Sequence, residues 1–69
     1  MVAEDYRRML ESMSLELLRA ELAIETDTLK ELMEKEPSGP LYEDWILRVN
    51  DTREAIDYIQ SLMSRKSMH

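Results

Sequence analysis

The chain has 69 residues, a formal net charge of -6, 35% charged residues, no cysteine and a single histidine at its last position. That length allows one small domain, residues 1–69, and the missing cysteines and lone histidine exclude disulfides and the usual sulfur or imidazole metal sites. The acidic balance disfavours nonspecific binding to nucleic acid or an anionic membrane, and no apolar run approaches the roughly 20 residues that a membrane span requires.

The opening Met1, Val2, Ala3, Glu4 and Asp5 is too acidic to read as a secretory leader, so a cytoplasmic location is expected. Residues 3–36 hold neither glycine nor proline and read as one long helix, with Glu4 and Asp5 in the first turn where the macrodipole favours acids. The turn follows at 37–39. Glu36, Pro37, Ser38, Gly39 and Pro40 contain both prolines and the only glycine of the chain. Proline stops the arriving helix, Gly39 can take left-handed angles, and Pro40 suits the first turn of the next helix. That second helix covers 40–65, with Glu43 and Asp44 at its start and Arg65 at its end, before a tail at 66–69. Residues 12–14, 26–28 and 50–52 are places where a helix could break, the last two because Thr28 with Glu31 and Asp51 with Glu54 match a capping box. Unbroken helices are nonetheless expected, because the apolar periodicity of the second helix crosses its weak point without a change of phase.

In the second helix Tyr42, Trp45, Val49, Thr52, Ile56, Ile59 and Met63 alternate spacings of three and four, a seam of the coiled-coil type. The first helix carries a matching seam at Leu15, Leu18, Leu22, Glu25, Leu29 and Leu32, with Met33 beside it. Folding at the turn makes an antiparallel hairpin and sets Trp45 beside Leu32, Val49 beside Leu29, Ile56 beside Leu22, Ile59 beside Leu18 and Met63 beside Leu15. The polar positions Glu25 and Thr52 then fall opposite one another. A second stripe on the first helix, Tyr6, Met9, Leu10, Met13, Leu17, Ala20 and Ile24, points roughly away from the seam. A helix that is apolar on two faces must be covered on both, and one partner helix covers one. The stripe is therefore expected to be an oligomer interface. Pairing with itself about a two-fold axis near Met13 or Leu17, it would give a homodimer and an all-α, antiparallel four-helix bundle; another protein could instead bind the 6–24 stripe.

Chemistry is thinly represented. Met9, Met13 and Met63 read as gap-fillers of a dimer core, and Trp45 with Tyr42 as the closure of the bundle end, with the indole nitrogen and the phenol reaching water. Glu31, Glu34, Glu54 and Asp57, written as Glu-x-x-Glu followed by Glu-x-x-Asp, resemble the metal-binding pattern of the all-α nucleotide pyrophosphohydrolases of the MazG type. The resemblance would imply magnesium held by these carboxylates and an activated water. Within one hairpin, however, Glu54 and Asp57 would lie about 12 to 15 Å beyond Glu31 and Glu34, on an outer face. Arg8, Arg19 and Lys30 share one side of the first helix, a spacing that could meet phosphates much as Rop-type hairpin dimers meet RNA, but three cations in an acidic chain are a small footprint. An acidic mimic of nucleic acid, acting on a basic partner, is a further reading. No nucleophile with a base, phosphate loop or cofactor motif is present. The expectation is a self-associating interaction or regulatory module rather than an enzyme, with no cofactor, catalytic residue or metal ligand assigned.

Overall fold

A computed structural model of the chain describes residues 3–68; His69, the end of the expected tail, lies outside the described residues, as do Met1 and Val2. The described residues are helical, with no strand among them: α1 spans Glu4–Glu11, α2 spans Leu15–Glu34, a short 3-10 turn spans Gly39–Leu41, and α3 spans Tyr42–Ser67. No helix is long and apolar enough to cross a membrane among the residues described.

The single long helix expected over 3–36 is corrected to two helices with a bend at 12–14. Serine makes the bend. Ser14 takes extended backbone angles, φ -69° and ψ 166°, and its Oγ accepts the Leu17 N–H at 3.3 Å, which caps α2. Ser12 Oγ donates to the Met9 carbonyl at 2.8 Å, close to the end of α1. The other two weak points stay helical, with their threonine hydroxyls bonded back to the helix: Thr28 Oγ1 donates to Ile24 O at 3.0 Å and Thr52 Oγ1 to Arg48 O at 2.8 Å. At the turn, Gly39 has φ 75°, a left-handed angle that a side chain disfavours, and Pro40 sits inside the 3-10 turn that leads into α3. α3 carries Glu43 and Asp44 in its first turn and Arg65 and Lys66 in its last, the favourable order for the helix dipole.

Hydrogen bonds at the two ends fix how the helices lie. The start of α3 meets the end of α2, where the Trp45 indole N–H donates to the Leu32 carbonyl at 2.7 Å. Near the other end of α3, the Lys66 ammonium donates to the backbone carbonyls of Met13 and Glu11. Lys66 thus places a cation at the C-terminus of α1, and α3 continues to Ser67 rather than stopping at 65. α1 folds back over α2 and α3. Its Leu10 is fully buried with Leu18 of α2 and Ile59 and Leu62 of α3, and Tyr6, Met13, Leu22, Tyr58 and Met63 pack against that cluster. On the α3 side, Arg7 lies over the Tyr58 ring, 5.3 Å from its centroid, and the Tyr58 hydroxyl donates to Glu11 at 3.0 Å. The molecule is a slab of 47 × 22 × 14 Å. The eight-residue α1 covers only part of α2 and α3, so large apolar side chains such as Leu17, Ile24, Leu41 and Leu47 remain exposed.

Candidate functional site

The residues expected in the seam split by depth. Leu18, Trp45, Val49 and Ile59 are buried, whereas Leu15, Leu22, Leu29, Leu32, Ile56 and Met63 are half-buried. Thr52, the polar member of the α3 seam, is buried with its hydroxyl satisfied, and Glu25 is half-buried. Ala55 and Leu62 are buried without having been placed in the seam. Leu62 sits where Leu10 of α1 packs against α3, a site with no such occupant if α1 continues straight into α2. The indole of Trp45 also departs from expectation: its N–H meets the Leu32 carbonyl instead of water. Tyr42 packs beside it, with ring centroids 5.5 Å apart.

The stripe expected to face another molecule is divided by the bend. Tyr6, Leu10 and Met13, expected at an oligomer interface, instead pack inside their own chain. This is a correction, and its cause is the fold-back of α1. Met9, Leu17, Ala20 and Ile24 remain exposed, Leu17 and Ile24 at 57% each. Leu17 and Ile24 stand seven residues apart, two turns of α2, and so share a face. Met9 belongs beside them, because α1 lies along residues 18–25 of α2 through Tyr6 and Leu10. The apolar surface thus runs along the seam between α1 and α2.

Beneath it lies a polar contact that periodicity could not show. The Tyr6 hydroxyl is shared between Glu21 Oε1 at 2.7 Å and Glu25 Oε1 at 3.2 Å, holding α1 to α2. Desolvation, reinforced by the hydrogen bond to Glu21 and the charges of both carboxylates, pushes the phenol well above its ordinary value of 10.0. The folded chain keeps this proton at a pH where the unfolded chain gives it up. The stabilisation is therefore complete below about pH 10 and declines as pH rises beyond it. Tyr6→Phe is expected to cost about 1 to 2 kcal/mol at pH 7, the usual worth of a hydrogen bond to a charged acceptor that is partly exposed. In urea titrations the variant should also lose less stability than the parent between pH 9 and pH 11. Equal losses would remove Tyr6 as the source of the effect.

The other candidate constellations are not assembled. Glu31 and Glu34 end α2 while Glu54 and Asp57 lie in the middle of α3, all four exposed, and no group of three or more acids or histidines that could hold a metal occurs among the described residues. Arg8 is carried off on α1, where it pairs with Glu4 at 3.1 Å, so the line it was expected to form with Arg19 and Lys30 along one helix does not exist. Beyond the reach of α1, at the turn end, a groove of about 640 Å³ runs past Pro37, Leu41, Trp45 and Leu47. A second of about 320 Å³ runs past Thr28, Leu32 and Lys35, and both share Arg48 as well as Trp45. Their linings mix Glu31 and Asp44 with Lys35 and Arg48, and the Thr28 hydroxyl is engaged with the Ile24 carbonyl. Comparison with models of known families, with curated proteins and with solved structures found no match.

Proposed function

We propose that the chain is a small self-associating helical module that acts through protein–protein contacts in the cytoplasm, two helical hairpins closing into a four-helix bundle. One observation carries this reading: Leu17 and Ile24, both large and apolar, stand 57% exposed on one face of α2 with the exposed Ala20 between them, and Met9 of α1 is exposed as well. Isolated exposed leucines are ordinary, but a row at helical spacing along a helix seam is the kind of surface that a second helix covers. A chain of 69 residues gains more from covering such a row than a large domain does, since less of its apolar surface is already inside. The cross-chain core would be built from Leu17 and Ile24, with Met9 filling irregular gaps.

Leu17→Glu puts a carboxylate into that contact in both copies. The dissociation constant of the dimer is expected to rise at least about 100-fold, while the helix content of the separated chains is unchanged because Leu17 is not in the buried cluster. Sedimentation equilibrium of the parent and the variant reads this directly. A parent that sediments as one chain at every concentration, or a variant that stays as dimeric as the parent, overturns the proposal.

A further inference from the structure

Resting on that reading of a self-associating chain, we propose that α1 is an exchangeable arm. In the dimer it swings out at residues 12–14 and docks in the groove between α2 and α3 of the second copy, so that α1 and α2 become one continuous helix.

Four observations meet here. First, α1 has eight residues, below the length at which a helix holds together alone in water, so its structure depends on the groove it occupies. The groove of a second copy offers the same residues. Second, its side-chain anchors reach across to α2 and α3: Leu10 among Leu18, Ile59 and Leu62, and the Tyr6 hydroxyl on Glu21 and Glu25. Exchange keeps these contacts. Third, the hinge is short and half helical already. It contains neither glycine nor proline, and the Ser12 N–H still donates to Arg8 O at 3.2 Å, as in an unbroken helix. Straightening asks only residues 13 and 14 to change, and it completes the missing turn. Fourth, the apolar stripe keeps one helical phase from Tyr6 and Met9 through Met13 to Leu17 and Ile24. The bent chain uses the first part of that stripe and leaves the last part in water. A straight helix carries all of it on one side, the arrangement that an unbroken phase favours.

The symmetry is consistent with this. Within one chain Tyr6 meets Glu21, and Leu10 clusters with Leu18, pairs centred on residues 13 and 14. If the same pairs form between copies, the two-fold axis passes through the hinge itself. Exchange at a short hinge is a low-cost route to a dimer because the closed and exchanged forms share almost every contact.

The chain has no cysteine, so introduced thiols are unique. Arg7→Cys with Tyr58→Cys in one chain places one thiol on α1 and one on the part of α3 that it covers. Under conditions where sedimentation shows a dimer, a short bis-maleimide is expected to give a covalent dimer on a denaturing gel. Ser14→Pro on the same background should give a monomer bridged within itself. Proline fits the φ of -69° that Ser14 has in the bend, but in a straight helix it removes the bond to Leu10 O and clashes with it, and the dimer should weaken at least about 100-fold. Should the double-cysteine chain fail to fold, isotope-filtered NOEs in a refolded mixture of labelled and unlabelled parent chains give the same answer, through Leu10 contacts to Ile59 between copies. A dimer whose bridges and NOEs all lie within one chain overturns the exchange and leaves self-association standing. A single-chain mass in sedimentation overturns both.

Discussion

Ile59→Ala is expected to lower the stability of the chain by about 2 to 5 kcal/mol, the range for a large aliphatic side chain removed from a packed interior. Ile59 is 0% exposed and lies where all three helices converge, with Leu10 from α1, Leu18 from α2 and Leu62 from its own helix. A domain of this length has a total stability of only about 3 to 10 kcal/mol, so the substitution removes a large share of it. The midpoint of a urea titration followed by circular dichroism measures the loss. Position within the cluster predicts a ranking. Leu18→Ala should match Ile59→Ala, since Leu18 is equally buried. Leu22→Ala should cost less, because Leu22 only packs against the edge of the cluster. Leu10→Ala differs in kind: it should release α1 and its eight residues of helix while α2 and α3 stay paired. A Leu22 variant as damaging as the Ile59 variant would place the centre of the core elsewhere.

The same cluster shows what the amino-acid order can and cannot reveal. Spacings of three and four identify Trp45, Val49, Ile59 and Leu18 as inward-facing, because a helix with one covered side must repeat its apolar residues at that period. They fail for Leu62, which is buried in the cluster that Leu10 of α1 completes from a distant part of the chain. Whether α1 arrives is decided at 12–14, by a contest of small terms. Ser14 gains a cap worth about 1 kcal/mol and Leu10 gains a buried site, against a few helical hydrogen bonds lost at the bend. Ser12 and Ser14 mark the spot, but the apolar phase is the same on both sides of it, so periodicity votes for a straight helix. The turn at Gly39 is legible for the opposite reason. There proline and glycine leave the backbone no competing choice. The candidate surface follows the same logic: Leu17 and Ile24 stand out from spacing alone, whereas the withdrawal of Tyr6, Leu10 and Met13 into the chain does not.

Trp45→Ala is expected to cost about 3 to 5 kcal/mol and to loosen the turn end first. The indole does two jobs that can be separated. Its rings fill the space between α2 and α3 and lean on Tyr42 at 5.5 Å, and its N–H donates to the Leu32 carbonyl at 2.7 Å. Leu32 lies in the last turn of α2, where carbonyls lack partners within the helix, so the indole acts as a cap supplied by the neighbouring helix. The Lys35 N–H also donates to that carbonyl, at 3.3 Å. Trp45→Phe therefore leaves the acceptor with a partner, and the lost hydrogen bond should cost about 0.5 to 1.5 kcal/mol, with a smaller ring adding about 1 kcal/mol of lost contact. The difference between the two variants measures ring packing, and the loss in the phenylalanine variant measures mainly the cap. Trp45 is the only tryptophan of the chain, so both variants must be followed by circular dichroism, and hydrogen exchange at Glu34 and Lys35 localises the damage. If Trp45→Phe protects those amides as well as the parent does, the indole serves the turn by volume alone, and the register of α2 against α3 is held by the apolar seam.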